Sequence, residues 1–133
     1  MGMIRTLMSA SAALAFAVAW ACAHAHHSFS AEFDIGQPVE ITGTVTDIEW
    51  TNPHTWVHME ATDADGNKTQ WAVELLGVNA LARSGLTRRT LKPGDMIKVK
   101  GYRARNGTTT ANASSMVRAD TGEPLWTSSG EEE

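Results

Sequence analysis

The sequence has only one cysteine, Cys22, and it lies within an apolar stretch near the N-terminus. The rest of the chain therefore has no thiol for a disulfide, a thiolate metal ligand or a cysteine nucleophile. A domain without such supports must be stabilised by a hydrophobic core, and a chain of 133 residues is long enough to form one.

Basic residues are also scarce, since 11 lysines and arginines face 15 aspartates and glutamates and the net charge is −4. Nucleic-acid binding depends on cations that neutralise phosphates. Arg83, Arg88 and Arg89 cluster around the end of a predicted helix, where they complement its dipole, rather than along a groove with aromatic side chains. We therefore predict no nucleic-acid partner.

The recognisable signatures of catalysis are missing as well. There is no nucleophile elbow and no phosphate-binding loop. His27 and Ser28 are adjacent, and adjacent side chains rarely face each other. Glu60 and Glu74 could form a carboxylate pair, but carboxylates on an exposed sheet face are usually solvated. The sequence predicts no enzymatic activity of its own.

One long apolar run is present, from Leu7 to Ala23, and it is followed by a small-x-small site that ends at Ala25. This pattern is typical of a secretory signal peptide, so we expect residues 1–25 to be cleaved and the product to be periplasmic or secreted. Cleavage removes Arg5, which changes the net charge from −4 to −5, and leaves no membrane segment. A membrane anchor, or a lipoprotein acylated at Cys22, is the alternative.

Alternating apolar residues between Val39 and Leu75 predict three consecutive strands. In the first, the apolar step from Val45 to Ile48 is three rather than two, which indicates a β-bulge. A turn at residues 63–67 joins the second and third strands as a hairpin. If Thr62 pairs with Lys68, then Trp71 points into the core and His58 points outward.

A short helix is expected after the third strand, with Gly85 as its stop, and two further strands follow it. The order predicts an all-β fold with one short helix, a five-stranded OB-fold-like Greek-key barrel over residues 26–126. Another small barrel or sandwich is the alternative. We expect Leu125 and Trp126 to cap the barrel end and residues 127–133 to form a disordered acidic tail.

Histidines at the mature N-terminus suggest a metal site. Cleavage after Ala25 would give His26 a free α-amine beside its imidazole, with His27 next to it, and such nitrogen donors suit a copper-type ion. Cleavage after Ala23 would instead give His24-Ala25-His26, in which a histidine at the third position makes another copper-chelating pattern. His54 and His58 cannot share one ion, since four residues of strand span about 13 Å. His58 is therefore the third candidate ligand, and solvated, functionless histidines are the alternative.

Around the Asn52-Pro53 turn we predict a surface for a small ligand or a partner protein. We expect the ring of His54 to bond the turn backbone, while Trp50 and Trp56 form an aromatic platform or simply pack the barrel end. The predicted surface consists of Trp50, Asn52, His54, Trp56 and Glu74.

Several motifs together resemble a known family. His26-His27-Ser28-Phe29 is followed by Glu32-Phe33-Asp34, then Trp50-Thr51-Asn52-Pro53-His54, and Gly94-Asp95 precedes a strand ending in Gly101. Residues 26–126 are similar to a family of small exported bacterial proteins that is known only as a domain of unknown function. The resemblance implies an exported domain and no catalytic residue.

These observations favour a periplasmic binding module whose ligand is a copper-type ion or a partner protein. An accessory subunit that uses the Trp50 and Trp56 surface without metal is the second hypothesis. A metalloenzyme with an N-terminal histidine brace is the third, although nothing in the sequence supplies a substrate pocket for it.

Overall fold

A computed structural model describes residues 28–128. The signal peptide predicted over residues 1–25, His26, His27 and residues 129–133 lie outside the described part. The chain divides into two units, residues 1–32 and 33–133. In the first unit the described residues form a helix, α1 (Ser28–Glu32), so residues 28–128 contain two short helices rather than the single one expected.

The described part of the second unit, residues 33–128, is mostly antiparallel β-sheet with six strands. Their bounds, with the intervening helix, are β1 (Phe33–Glu49), β2 (Trp56–Thr62), β3 (Lys68–Glu74), α2 (Val78–Arg83), β4 (Met96–Ala104), β5 (Thr110–Arg118) and β6 (Pro124–Thr127). The strand order is β3-β2-β1-β4-β5-β6, and β3 also pairs with β5 in parallel. The hydrogen-bonded neighbours β1 to β5 therefore form a ring.

The predicted bulge in β1 is confirmed. Its pairing with β2 shifts register between Val45 and Asp47, where the apolar phase changes in the sequence. Before the shift β1 pairs with both β2 and β4, and after it β1 continues along β2 alone, to Glu49 beside Trp56. A bulge bends its strand, which allows one long strand to serve two neighbours.

The predicted register of the β2–β3 hairpin is also confirmed, because Thr62 pairs with Lys68 and Met59 with Trp71. Gly66 adopts a positive φ of 84° in the turn. The Asp63 carboxylate accepts hydrogen bonds from the backbone N–H groups of Asp65 and Asn67 at 2.9 Å. These bonds, with that from Asn67 foremost, hold the pKa of Asp63 below its usual range.

The helix stop is as expected. Gly85 has a φ of 89°, and the N–H of Leu86 donates to the carbonyl of Leu81 at 3.0 Å, which closes the end of α2. The buried core contains apolar residues from every strand, from α2 and from the segments before and after α2. They are Ile41, Val45, Val57, Met59, Val73, Leu75, Leu81, Leu86, Leu91, Ile97, Val99, Ala111, Ala113, Met116 and Trp126.

Two expectations need correction. Trp71 is half-buried rather than fully in the core, because it packs against the core on one side and lies 5.6 Å, measured to its ring centroid, from the guanidinium of Arg103. Leu125 and Trp126 do not simply cap the ring but belong to the sixth strand, in which Trp126 pairs with Met116. Thr127 is in that strand too, and the Ser128 N–H donates to the Ser114 carbonyl at 2.9 Å.

No helix in the described part of the chain is long and apolar enough to cross a membrane.

Candidate functional site

The turn between β1 and β2 is held firmly against the segment that precedes α2. The N–H of Thr55 donates to the Leu76 carbonyl at 3.1 Å, and the N–H of Leu75 donates to the Thr55 carbonyl at 2.9 Å. The N–H of Val78 donates to the Thr51 carbonyl at 3.2 Å. The side chain of Thr55 is fully buried. The turn is thus tied at both of its ends.

Close approach of backbone to backbone makes Gly77 necessary here. A Cβ at this position would overlap the side-chain oxygen of Asn52 and would lie 2.7 Å from the Pro53 carbonyl oxygen. Asn52 and Pro53 are joined by a cis peptide bond. The predicted surface residue Asn52 therefore lies directly against the N-cap of α2.

Polar side chains cover the face of β2 and β3 that points away from the core, as the predicted register requires. Two cross-strand rows define this polar face. One row contains Glu49, Trp56, Glu74 and Asn112, and the next contains Asp47, His58, Ala72 and Thr110. Asp47, Glu49 and Glu74 give these rows an excess of negative charge.

His58 lies on this polar face and is paired with a carboxylate. Its Nε2 is 2.6 Å from Oε1 of Glu49, diagonally across β1 and β2. Both side chains remain substantially exposed to solvent. Glu49 was not among the predicted site residues. The bulge was the signal that could have found it, because the one-residue register shift brings Glu49 within reach of His58.

His54 is paired with a different carboxylate, not with the turn backbone as expected. Its Nδ1 lies 3.3 Å from Oε1 of Glu74, and the side-chain amide of Asn112 also donates to that oxygen at 3.3 Å. Glu74 is only 6% exposed, so the expectation of a solvated carboxylate was wrong. Asn112 is 38 residues away and meets Glu74 through the parallel β3–β5 pairing, which no local pattern indicated.

Glu60, the other carboxylate considered for a catalytic pair, is bound by its neighbours on the hairpin. Lys68 Nζ lies 2.8 Å from one of its oxygens, and the Gln70 amide donates to the other at 2.9 Å. The bond to Lys68 is the main reason why the pKa of Glu60 falls below its usual range and that of Lys68 rises. Glu60 is thus paired with Lys68 and Gln70, whereas Glu74 lies beside His54 and Asn112.

The two tryptophans of the predicted platform lie in different surroundings. Trp56 is in the polar row between Glu49 and Glu74. Trp50 lines a cavity of about 350 Å³ beside α2, and Trp56 is not among the residues that line it. Trp50 directly follows Glu49, the last residue of β1, and packs against the core, whereas Glu49 lies in the polar row.

Within residues 28–128 no group of three or more His, Cys, Asp or Glu side chains is placed to hold a metal ion. The two described histidines of the predicted sites have separate carboxylate partners. His26 and His27, the other predicted ligands, lie outside the described residues.

Removing either histidine tests how different the two pairs are. We expect His54→Ala to lower the free energy of unfolding by about 1 kcal/mol, because a buried carboxylate loses one of its partners. His58→Ala, in which an exposed carboxylate loses the same imidazole, is the matched control and should change it by less than about 0.5 kcal/mol. Urea denaturation at pH 7 measures both variants. Equal losses in the free energy of unfolding would show that burial of the carboxylate partner does not determine the effect.

Comparison with protein families identifies the class of the chain. The model of a family of unknown function, DUF6152, matches residues 13–113. The match covers most of the sequence, so the chain belongs to this family. A search of curated proteins found no match.

Proposed function

We propose that the chain is an exported binding module and that the ring β1 to β5 is an OB-fold barrel. The proposal is supported by the strand order, in which a bulged β1 pairs with β2 and β4, and β3 with β5. A helix between the third and fourth strands fits the same topology. Proteins of this fold bind ligands on the β2–β3 face and the adjoining loops.

The observation that carries the binding proposal is the polar face, with His58 held at 2.6 Å by Glu49 next to the rigid turn. An imidazole that is oriented by a carboxylate on one ring nitrogen is the usual arrangement of a metal-binding histidine. The surrounding carboxylates favour a cation as ligand.

A copper-type ion is the cation we propose, with the α-amine and imidazole of His26 and the neighbouring His27 as its donors. Nitrogen donors bind Cu(II) more tightly than the other divalent first-row metals. Because the described residues hold no three-ligand cluster, such a site depends on the mature N-terminus. Whether His58 contributes is decided by a variant.

The test uses the exported protein. Its intact mass should correspond to a chain that begins at His26. We expect competition titration of this protein to give a sub-micromolar dissociation constant for Cu(II), and His26→Ala should weaken it by about a hundredfold, equivalent to ~2.7 kcal/mol. The same protein with its N-terminus acetylated should lose affinity similarly, because acetylation removes the α-amine as a donor.

His54→Ala is the matched control, because it removes one imidazole whose partner is Glu74 and should leave Cu(II) binding unchanged. A weakening in His58→Ala would add His58 to the ligand set. Binding no tighter than that of free histidine would refute the copper proposal, and an intact mass that includes residues 1–25 would refute cleavage and with it the N-terminal site.

A partner protein with a basic segment is the second candidate, favoured by the carboxylates in the rows around Trp56. In that case the chain is an accessory subunit that needs no metal. A purified partner captured from the periplasm should lose binding to Trp56→Ala, and binding should weaken as salt rises. Capture that is insensitive to both changes would exclude this face as the interface.

A further inference from the structure

We propose that the cavity beside Trp50 binds a small organic carboxylate with an apolar, preferably aromatic, body. This site differs from the polar face and does not depend on a metal. Its lining combines an indole, apolar side chains from α2 and the following loop, and two arginines: Trp50, Val78, Ala82, Leu86, Thr87, Arg88 and Arg89.

The size and the floor of the cavity suit a small molecule. Its volume of about 350 Å³ lies at the lower end of the range found for small-ligand pockets. Leu86, which is fully buried, forms part of the lining, and Trp50 packs against the core beside it. An apolar ring could therefore be buried between the indole and the helix, with a gain of roughly 25 cal/mol for each Å² of apolar surface removed from water.

The arginines supply the complementary charge. Arg88 places its guanidinium 5.8 Å from the centroid of the Trp50 ring. Within residues 28–128, neither Arg88 nor Arg89 has a carboxylate oxygen within 4.0 Å. Of the other basic residues in this part of the chain, five form such ion pairs (Lys68, Lys98, Lys100, Arg105 and Arg118) and three do not (Arg83, Lys92 and Arg103). In an acidic chain, two exposed arginines without carboxylate partners at the mouth of an apolar cavity indicate an anionic ligand.

The loop at the mouth of the cavity is held by hydrogen bonds from its backbone N–H groups. The N–H of Thr87 donates to the Thr90 hydroxyl at 2.9 Å, and the N–H of Thr90 donates to the Thr87 carbonyl at 3.0 Å. The N–H of Arg89 donates to the Thr87 hydroxyl at 3.2 Å. A loop tied in this way holds the backbone of both arginines, so the ligand does not have to order the loop, which lowers the cost of binding.

Arginine also has the right shape for this ligand class. A guanidinium that lies over an indole still presents an N–H edge, and two parallel N–H groups match the two oxygens of a carboxylate. The ring of the ligand would then lie in the apolar cavity and its carboxylate at the arginines. An acidic peptide could use the same arginines, and it is one outcome of the test.

The experiment titrates the full exported protein with phenylacetate and follows the backbone amides by NMR. We expect saturable binding that shifts residues 50 and 78–89, together with a dissociation constant about tenfold weaker for phenylacetamide, which lacks the charge. Acetate, which lacks the ring, should bind more weakly still. Arg88→Gln should weaken phenylacetate binding about tenfold.

Lys92→Gln is the matched control, because it removes the same charge nearby at a side chain that does not line the cavity. It should change the dissociation constant by less than about twofold. Arg89→Gln gives a second reading if Arg88→Gln fails to fold. Equal affinity for phenylacetate and phenylacetamide, shifts on the polar face alone, or no saturation would overturn the proposal, as would tighter binding of an acidic aromatic peptide.

Discussion

Gly101→Ala is expected to destabilise the folded chain by about 3 kcal/mol, the largest effect we predict for a single methyl group. At Gly101 the backbone of β4 approaches that of β5 so closely that an added Cβ would overlap the Asn112 carbonyl oxygen and lie 2.9 Å from its carbonyl carbon. Neither backbone can yield without breaking the pairing of β4 with β5, whose register shifts between Lys100 and Gly101.

Thermal unfolding followed by circular dichroism measures this effect, and a loss of about 3 kcal/mol corresponds to a drop in Tm of roughly 15 °C. Gly36→Ala is the control. There an added Cβ would lie 3.2 Å from a side-chain oxygen of Asp34, which can move, so we expect a change below about 1 kcal/mol. Similar losses in the two variants would show that close approach of the strands is not the cause.

Leu81→Ala should lower the free energy of unfolding by about 2–5 kcal/mol. Leu81 is fully buried in α2 and belongs to the core, so its removal leaves a cavity beneath the helix. The same helix lines the Trp50 cavity through Val78 and Ala82, so phenylacetate binding should weaken as well. Urea denaturation gives the change in the free energy of unfolding.

Leu76→Ala provides a control, because it makes the same chemical change just before the N-cap of α2. Leu76 is 47% exposed, so this substitution should cost less than about 1 kcal/mol. If both variants lost the same stability, burial of the Leu81 side chain would not be the cause of its effect.

The two proposed sites would bind different ligands, and each can be refuted without refuting the other. The N-terminal copper site depends on His26 and a free α-amine, whereas the Trp50 cavity depends on Arg88 and an apolar ligand. Loss of Cu(II) binding with retained phenylacetate binding, or the reverse, would separate them. Variants of His58 and Trp56 on the polar face test the third proposal, a protein partner.

Alternation and turn residues were enough to predict most of the ring. The phase change at Val45 located the bulge, and the pairing of Thr62 with Lys68 placed His58 on the outer face. The stop at Gly85 was equally readable, because a positive φ is readily adopted only by glycine. β6 was missed because four residues with one proline carry too little alternation, and its Trp126 joins the core where β6 pairs with β5.

The sequence by itself determined the phase of each strand, and so which side chains of β2 and β3 point outward. Only the tertiary structure decided what those side chains meet. Glu74 is buried because Asn112 arrives from β5, Trp71 is half-buried and lies close to Arg103 of β4, and Arg88 lies over Trp50. These partners come from strands and loops distant in sequence, and local periodicity contains no information about which distant segments will pair.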